Sequence, residues 1–556
     1  MSNFSAKGKG VKTSSILTIE TVLNLAATLL VIAVLLKAVI DIDTNYDPGW
    51  YHLPFAGRIW GIIPKEMFIG DEEWFEPRFE GFPLLAHFLQ GFFWKITGRI
   101  QSTNLVSFFA IFGYFWFLKS YFKVPFYLAV AALFSIPLVL FHANSSFVDL
   151  LGNVGVSILI MMIYRLYTNK ELPQATALSV ACLGATMAAN TKTLLQPLVF
   201  VALIFAGVRI AWLCYQHKSV IKLSKIIPLG LLATIIIFAT PVKNTVVYGN
   251  PLYPIRVEIA GVVLNHKRTP KAFEQGNRQI NWLTSILDIN TPNVWSADQW
   301  SPNPERSRRG GFFGAYVVFN LLMLLLFLLR EFIQNKSLPR HLRSFQARLA
   351  LLVVIAMSLI PLNFPASHEL RYFLYWMITL VSLNLYLLSF SVNSKFSSNK
   401  TLARKEDKSL LPFTFYPLPL KKTVNDDSRK KSHKWLQVKY IKWIYITFLI
   451  VVLIKTNYRA VKPTFSTLDK YINLGVNKEF LSQIKPNDQV CLISQHMGDN
   501  IQASNKASLK YAFVYSSYFH PELGYDYSIK VGGYYPKHKV FDLKMCGDRK
   551  IIPNNV

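Results

Sequence analysis

The chain reads ILTIETVLNLAATLLVIAVLLKAVIDIDTNYDPGWYHLP from Ile16 to Pro54. Its first part is a long apolar run, and about 20 such residues in a helix cross a bilayer. Three aspartates, a histidine and three aromatic residues follow directly, so carboxylates lie at the mouth of a membrane span. Acids beside hydrocarbon are costly and usually mark a site or an ion path. The alternative is a solvated helix end whose aromatic side chains anchor it at the interface.

Composition favours a polytopic membrane protein. Of 556 residues, 52% are hydrophobic, and apolar runs of membrane-spanning length recur along the chain. The net charge is +29, from 60 Lys and Arg against 31 Asp and Glu. Much of this charge lies in short loops and in one long basic loop, where it indicates orientation or attraction to anionic lipid. The sequence therefore predicts an all-α polytopic membrane protein whose partners include membrane lipids and exclude nucleic acid.

Charge also predicts the topology. Lys7, Lys9 and Lys12 precede the first span, which places the amino terminus in the cytoplasm and the loop of Asp47 outside. About eleven transmembrane helices are expected, at Ile16–Ile40, Ser102–Tyr121, Val124–Phe141, Leu150–Tyr167, Ala175–Ala189, Leu194–Tyr215, Ile226–Thr240, Gly311–Leu329, Leu349–Leu362, Leu370–Phe390 and Trp443–Ile454. Gly81–Thr97 is short for a span and is predicted as a helix lying in the outer interface.

Long loops divide the chain into domains. A transmembrane domain is predicted at 1–392, with a first outer loop at 41–100 and a second at 241–310. The second loop is too long for a simple connection, so we expect it to be functional. The predicted remainder is a basic cytoplasmic linker, a last transmembrane helix and a small extracytoplasmic α/β domain, at 393–442, 443–456 and 457–556.

The polar tail has a different pattern from the membrane domain. Gln489–Ser494 and Tyr511–Tyr518 are typical of short strands, separated by Gly and Pro turns. Cys491 and Cys546 can pair if the tail faces an oxidising compartment. These features predict the α/β character of the carboxyl-terminal domain.

The predicted outward face gathers charged side chains from separate loops. They are Asp43, Asp47, His52, Asp149, Lys192, His368, Glu369 and Arg371. A carboxylate there can take the proton from an attacking hydroxyl, which typically contributes ~10² to 10⁴ in rate. Lys and Arg can hold a phosphate leaving group and stabilise the charge that it gains. No predicted span carries a ladder of charges across the bilayer, which argues against a proton-driven transporter.

One motif resembles a known family. The string Asp47-x-x-x-Tyr51-His52-Leu53-Pro54 is similar to the first-loop motif of the GT-C superfamily of integral-membrane glycosyltransferases. The nearest branch is the bacterial one near the protein O-mannosyltransferases and the aminoarabinose transferases of lipid A. The resemblance covers most of the chain up to about Phe390. It continues through Glu76-Pro77, Pro83, Asp149, Thr191-Lys192-x-Leu194, Gly249-Asn250-Pro251-Leu252-Tyr253-Pro254 and Arg371-Tyr372.

This resemblance implies a function and a set of site residues. Members of the family move a sugar from a polyprenyl-phosphate carrier to an acceptor on the outer face. By resemblance, Asp47 is the general base, and Asp149 either orients the acceptor or binds a divalent metal ion. Lys192 and Arg371 would hold the carrier phosphate. The substrate-binding set implied is Tyr51, His52, Lys192, Arg371, Tyr372 and Glu80, of which Glu80 stands where some relatives have a lysine.

Each charged candidate also has a purely structural interpretation. Asp47 precedes Pro48 and would suit the start of a turn. Asp149 could cap the helix that follows it. Lys192 could extend from a span end toward the interface. Arg371 could form an ordinary interfacial ion pair with Glu369.

Other polar and aromatic residues are weaker candidates. Isolated interfacial histidines such as His52 and His368 usually bind no metal. The pair Asp41-x-Asp43 resembles a metal-binding pair of nucleotide-sugar enzymes, but its place at a span end argues against that role. Trp282, Trp295 and Trp300 in the second outer loop would either stack on a sugar or lie at the headgroup level, and the latter is favoured.

The sequence therefore predicts an inverting, GT-C-type glycosyltransferase of the plasma membrane, with its carboxyl-terminal domain outside the cell. Its donor is a polyprenyl-phosphate sugar, and its acceptor is a lipid, a protein or a glycan. Two alternatives stay open: a transporter or flippase of a lipid-linked glycan, and a non-catalytic membrane scaffold.

Overall fold

The chain folds into a bundle of helices with very little strand. The computed structural model describes residues 19–43, 45, 47–63, 75–217, 220–267, 277–289, 311–336, 339, 343–364, 367, 369–400, 438–465, 490–494 and 550–554. Apolar helices of membrane-spanning length recur through this part of the chain, so the predicted class, an all-α polytopic membrane protein, is confirmed.

Helices account for most of the described residues. They are α1 (Ile19–Ile40), α2 (Leu53–Ile59), α3 (Phe75–Gly81), α4 (Leu85–Thr97), α5 (Leu105–Phe122), α6 (Phe126–Phe134), α7 (Pro137–His142), α8 (Asp149–Thr168), α9 (Ala175–Ala189), α10 (Gln196–Gln216), α11 (Val220–Ile237), α12 (Ala239–Tyr248), α13 (Arg278–Leu287), α14 (Gly314–Lys336), α15 (Gln346–Asn363), α16 (Leu374–Lys400) and α17 (Val438–Val461). Short 3₁₀ turns precede α5, α10 and α16, at Ile100–Asn104, Thr193–Leu195 and Leu370–Phe373.

Strands are few and short in the part of the chain that the structure describes. The antiparallel pair β1 (Glu258–Ile259) and β2 (Val262–Val263) lies in the second outer loop. In the tail, β3 (Val490–Ser494) pairs in parallel with β4 (Lys550–Asn554). The strand predicted at 489–494 is therefore confirmed as β3. The strand predicted at 511–518 and Cys546, the partner of Cys491 if the tail faces an oxidising compartment, lie outside the described residues.

Seven of the described helices are long and apolar enough to cross a membrane. They are α1, α5, α8, α10, α14, α15 and α16, where α5, α10 and α16 are taken with the turns that precede them. The helices α11 and α12 form one further candidate, bent by 64°, and α9 and α17 are shorter apolar helices. The protein is therefore a multi-pass membrane protein.

Two predicted spans are interrupted. The segment predicted as Val124–Phe141 is divided into α6 and α7, because Pro137 lacks the N–H that a continuous helix needs. The segment predicted as Ile226–Thr240 begins earlier, as α11, and bends into α12. The predicted loop 241–310 accordingly starts with helix and also contains the β1–β2 pair and α13.

Among the seven long apolar helices, α8 and α16 are the most buried. Within their most apolar windows, 78% and 89% of the residues are buried. Asn153 joins the two helices, because its amide donates to Arg371 O at 3.1 Å and accepts from Tyr375 N at 2.9 Å. Further along both helices the rings of Tyr164 and Tyr386 pack at 5.6 Å. The two helices therefore run parallel.

The first and last helices of the bundle are also parallel neighbours. At their starts, Lys442 Nζ of α17 lies 3.9 Å from Glu20 Oε1 of α1. At their ends, Thr464 donates from its backbone N–H and its hydroxyl to Asp41, and Lys37 donates to Lys462 O at 2.9 Å. These contacts hold the chain that leaves α17 beside the beginning of the first outer loop.

Hydrogen bonds between helix termini define two ends of the bundle. Asn104 before α5 donates to Asp41 O at 2.9 Å, and Ser107 of α5 donates to Phe147 O at 3.0 Å, just before α8. We call this end, where α1 ends and α5, α8 and α16 begin, the site end. At the opposite end Arg165 donates to Tyr121 O at 3.0 Å.

Close approach of α8 and α9 depends on two glycines. A Cβ at Gly155 would lie 2.6 Å from Gly184 O, and one at Gly184 would lie 2.7 Å from Gly155 O. Small residues at membrane helix interfaces allow backbones to approach in this way. Since α9 leads into the segment that carries Lys192, this contact also sets the position of that side chain.

We expect Gly155→Ala to destabilise the bundle by about 1–3 kcal/mol, because the added methyl group overlaps backbone atoms that cannot move separately. The matched control is Gly207→Ala on α10, where a Cβ meets nothing within 4 Å. That change should be neutral or slightly stabilising, since Ala is the better helix former. Thermal unfolding in detergent measures both. Equal melting temperatures would show that the α8–α9 contact tolerates a side chain.

Candidate functional site

The first outer loop carries Asp47 on a short turn. Pro48–His52 form one π-helical turn before α2, and such turns are frequent at functional sites. Pro48 suits the first position because its missing N–H has no role there. Asp47 makes no side-chain cap bond to this turn, and it is only 8% exposed. The structural interpretation of Asp47 as a turn former therefore does not account for its carboxylate.

That carboxylate forms a buried ion pair with Arg371, which lies in the turn before α16. Nη1 of Arg371 donates to Asp47 Oδ2. The other nitrogens are also engaged: Nη2 donates to the hydroxyl of Tyr372 at 3.2 Å, and Nε lies 3.4 Å from Glu369 Oε2. The predicted pair of Arg371 with Glu369 thus exists, and the longer-range pair with Asp47 adds to it.

A second ion pair joins Asp149 and Lys192. Asp149 is the first residue of α8, and its Oδ1 accepts from Lys192 Nζ. Lys192 lies in the extended segment between α9 and the turn before α10. Its side chain therefore points into the bundle instead of extending toward the interface. Burial lowers the pKa of Lys192 to about 8, against the opposing influence of Asp149 and Asp47.

The ring of Tyr372 unites the two pairs. Lys192 Nζ lies 3.8 Å from the ring centroid of Tyr372, and the guanidinium carbon of Arg371 lies 4.9 Å from the same centroid. Tyr51 is close enough for its pKa to be raised by burial and then by the charge of Asp47. Six predicted residues thus meet at the site end, and we call them the charged cluster: Asp47, Tyr51, Asp149, Lys192, Arg371 and Tyr372.

Within the described residues, several buried polar atoms beside the charged cluster have no hydrogen-bond partner. They include Asp149 Oδ2, Thr191 Oγ1 and His52 Nε2. Asp149 and His52 are each 1% exposed. Buried polar groups are normally paired, and an exception needs an explanation such as a ligand or a water molecule. These atoms without a hydrogen-bond partner are a carboxylate oxygen, a hydroxyl and an imidazole nitrogen. They suit a ligand that both donates and accepts hydrogen bonds.

His52 and His87 form a neutral buried pair. Nδ1 of His52 lies 2.9 Å from Nε2 of His87, so one ring nitrogen donates and the other accepts. Burial lowers the pKa of His87 to about 3, and burial together with His87 lowers the pKa of His52 well below its usual value. The predicted substrate residue His52 therefore lies beside the charged cluster as an uncharged group.

A divalent metal ion does not fit the charged cluster. Oδ1 of Asp149 is held by Lys192, and the guanidinium of Arg371 also faces this region. Two fixed cations would repel a metal ion placed at Asp149. Among the residues described, no three His, Cys, Asp or Glu side chains come together as ligands. Of the two roles that the resemblance left open for Asp149, orientation of an acceptor agrees with these contacts.

Asp43 has a structural role in the first outer loop. Its Oδ2 accepts from Ser146 N at 2.7 Å, and its Oδ1 accepts from Asn45 N at 2.9 Å. Burial raises the pKa of Asp43. Ser146 is itself bonded to Asn104 at 2.6 Å and to Gln90 through its carbonyl at 2.6 Å. This network fixes the corner before α8, whereas Asp41 holds the end of α17.

Glu80 lies apart from the charged cluster. Its carboxylate accepts from the hydroxyl of Tyr248 at 3.2 Å, and its carbonyl accepts from Lys243. Both partners belong to α12. The substrate-binding role implied for Glu80 therefore concerns a different surface from that of the charged cluster.

The tryptophans of the second outer loop are only partly described. Trp282 is 2% exposed and packs edge-on against Trp376 at 5.4 Å. It therefore belongs to the core, and neither the sugar-stacking nor the headgroup interpretation applies to it. Trp295, Trp300 and His368 lie outside the described residues.

Sequence reasoning missed three residues that support the site. Asn153, one turn after Asp149, ties α8 to the backbone at Arg371. His87 pairs with His52. Ser146 organises the corner before α8. Of these, Asn153 had a sequence indication, because an amide one helical turn from an acid in an apolar span lies on the same helix face.

Comparison with known families places the chain in one of them. Residues 81–378 match the family model described as "Domain of unknown function (DUF8201)". The match covers more than half of the 556 residues. The chain belongs to this family. No curated protein sequence matches it. Asp149, Lys192 and Arg371 lie inside the matched DUF8201 region, and Asp47 lies in the loop that precedes it.

We expect Lys192→Met to destabilise the protein by about 3–5 kcal/mol, because it leaves a carboxylate buried without its main counter-charge. The double change Lys192→Met with Asp149→Asn should recover much of this loss. Arg256→Met is the control, since Arg256 and Glu258 form an exposed pair and such pairs contribute about 0–1 kcal/mol. Thermal unfolding measures all three. A double variant as unstable as the single one would contradict the ion pair.

Proposed function

We propose that the protein is a membrane glycosyltransferase of the GT-C type, which transfers a sugar from a polyprenyl-phosphate carrier to an acceptor hydroxyl. The observation that carries the proposal is the charged cluster. Two carboxylates from separate elements are each paired with a cation, and the two cations share the ring of Tyr372. The groups needed for proton transfer and for phosphate departure thus lie within one buried cluster.

The proposed reaction uses each charged group once. The acceptor oxygen attacks the anomeric carbon, the bond from that carbon to the phosphate oxygen breaks, and the configuration inverts. The acceptor proton passes to Asp47, and the bond electrons leave with polyprenyl phosphate. Arg371 and Lys192 bind the phosphate and stabilise the charge that it gains. Asp149 accepts a hydrogen bond from the acceptor and orients it.

The unpaired buried atoms support a hydroxyl-rich ligand. Asp149 Oδ2 and His52 Nε2 can accept from or donate to sugar hydroxyls, as can the hydroxyl of Thr191. Failure to satisfy such groups costs about 1–3 kcal/mol each, so a ligand that satisfies them gains selectivity over one that does not. An apolar lipid tail alone would leave all three unmet.

We propose further that the chain crosses the membrane eleven times. Because α1 and α17 are parallel, the number of crossings counted from α1 through α17 is odd. Because α8 and α16 are parallel, the number counted from α8 through α16 is also odd. The seven long helices, the bent pair, α9 and α17 make ten, so the broken pair α6–α7 supplies the eleventh. With the basic amino terminus in the cytoplasm, the site end faces outward in the plasma membrane.

We expect Asp47→Asn to lower transfer by about 10² to 10⁴, the usual contribution of a general base. The experiment compares a deletion strain complemented with the wild-type chain, with Asp47→Asn and with Asp43→Asn. Mass analysis follows the outer-surface glycans and the polyprenyl-phosphate sugars. Asp47→Asn should lose one glycan and accumulate its lipid-linked precursor, while Asp43→Asn should keep the glycan in proportion to its folded amount.

Each rival function gives a different result in the same strains. A flippase would keep most of its flux with Asp47→Asn, because no proton is removed from an acceptor. A scaffold would change no glycan in the deletion strain. Either result would overturn the transferase proposal.

The topology is tested by reporter fusions after Lys400, the end of α16, and after Thr464, three residues beyond the end of α17. An enzyme active only outside the cytoplasm, such as alkaline phosphatase, should be inactive after Lys400 and active after Thr464. Equal activity at the two positions would show that α17 does not cross. Activity after Lys400 alone would reverse the orientation and place the charged cluster inside.

A further inference from the structure

Both cations of the charged cluster are paired with carboxylates, although Nε of Arg371 makes no hydrogen bond to the residues described. The three nitrogens of Arg371 face Asp47, Tyr372 and Glu369, respectively. Lys192 is held by Asp149 on one side and by the Tyr372 ring on another. A phosphate binds arginine best through two parallel N–H bonds. Asp47 already accepts from Nη1 and the hydroxyl of Tyr372 from Nη2, so a phosphate that binds both Nη nitrogens competes with Asp47 for the guanidinium.

Charge also limits what the site can accept. Asp47, Asp149 and Glu369 carry three negative charges against two positive charges on Lys192 and Arg371, a difference of one. A sugar-linked phosphate diester adds another negative charge. In a buried site this excess is costly unless one carboxylate takes up a proton. The arrangement therefore disfavours a site in which every carboxylate stays ionised once the phosphate is bound.

We infer that the carrier phosphate exchanges partners with the two carboxylates, taking Arg371 and Lys192 and so releasing Asp47 to act as the base. The inference rests on the proposed function and adds how the binding of the carrier regulates the base. A carboxylate held by a guanidinium is a weak base, because the cation favours its ionised form. When the phosphate takes Arg371, the proton affinity of Asp47 rises. A proton from the acceptor then cancels the negative charge that the phosphate adds. The base is thus inactive until the carrier is bound.

Glu369 and Tyr372 keep Arg371 in place during the exchange. Glu369 is two residues away on the same turn, and its carbonyl accepts from Tyr372 N at 2.9 Å. Asp47, in contrast, comes from a separate loop and is joined to Arg371 through their side chains. The exchange therefore separates Arg371 from Asp47, which lies on another element, and leaves Arg371 paired with Glu369 in the same turn.

The inference predicts that Asp47→Asn binds polyprenyl phosphate more tightly than the wild type, although it cannot catalyse transfer. We expect Kd to fall about tenfold, which equals about 1.4 kcal/mol. The probe is a fluorescent polyprenyl phosphate in nanodiscs of phosphatidylcholine, with the matching polyprenol as the uncharged probe. Asp43→Asn, on the same loop but bonded to Ser146, is the matched control and should leave the Kd unchanged.

Further variants test the coupling. Asp149→Asn removes the carboxylate from Lys192 and should also tighten phosphate binding, so it serves if Asp47→Asn does not fold. Arg371→Gln should weaken phosphate binding, and adding Asp47→Asn to it should give no gain. The uncharged polyprenol should bind the wild type and Asp47→Asn alike.

The outcomes separate this inference from the proposed function. If polyprenyl phosphate binds neither the wild type nor any variant, the proposed function itself fails. If it binds the wild type but Asp47→Asn binds equally or more weakly, the exchange fails and the transferase can stand. An equal gain with polyprenol, or with Asp43→Asn, would likewise overturn the exchange.

Discussion

Burial of charge is the constraint on which the site end depends. An ion taken out of water loses several kcal/mol of hydration, so a buried carboxylate needs a cation or hydrogen-bond donors in place of the lost water. Asp47 and Asp149 meet this condition through Arg371 and Lys192, and the ring of Tyr372 adds a cation–π contact to both cations. Each partner comes from a different stretch of the chain. The charged cluster can therefore form only when the whole bundle has assembled.

Helix packing brings these stretches together with little freedom. Asn153 joins α8 to the backbone around Arg371, which fixes the carboxylate of Asp149 relative to the guanidinium. The glycine contact of α8 with α9 sets how far Lys192 lies from Asp149. The network around Ser146 holds Asp43 against the corner before α8. The same contacts that stabilise the fold thus determine the distances within the site.

Much of this arrangement follows from the sequence, because hydrophobic length and loop charge order the helices along the chain. This order predicts the apolar runs at α9 and α16. It also predicts that four charged residues lie at one end of the bundle: Asp47, Asp149, Lys192 and Arg371. What it leaves open is pairing: nothing in the sequence says that Arg371 contacts Asp47 as well as Glu369. Local breaks are also hard to foresee, as at Pro137, where a proline within an apolar run divides one span into α6 and α7. The isolated position of Glu80 arises from α12, which lies where the sequence indicates a loop.

The parallel packing of α1 and α17 has a consequence for the tail. Asp41 lies six residues before Asp47 and accepts from Thr464, so the chain that follows α17 is held at the start of the loop that carries Asp47. Segments tethered by a short link reach effective local concentrations on the order of millimolar. A segment that follows this attachment needs little intrinsic affinity to contact the loop that carries Asp47. Its point of attachment is therefore as important as its own fold.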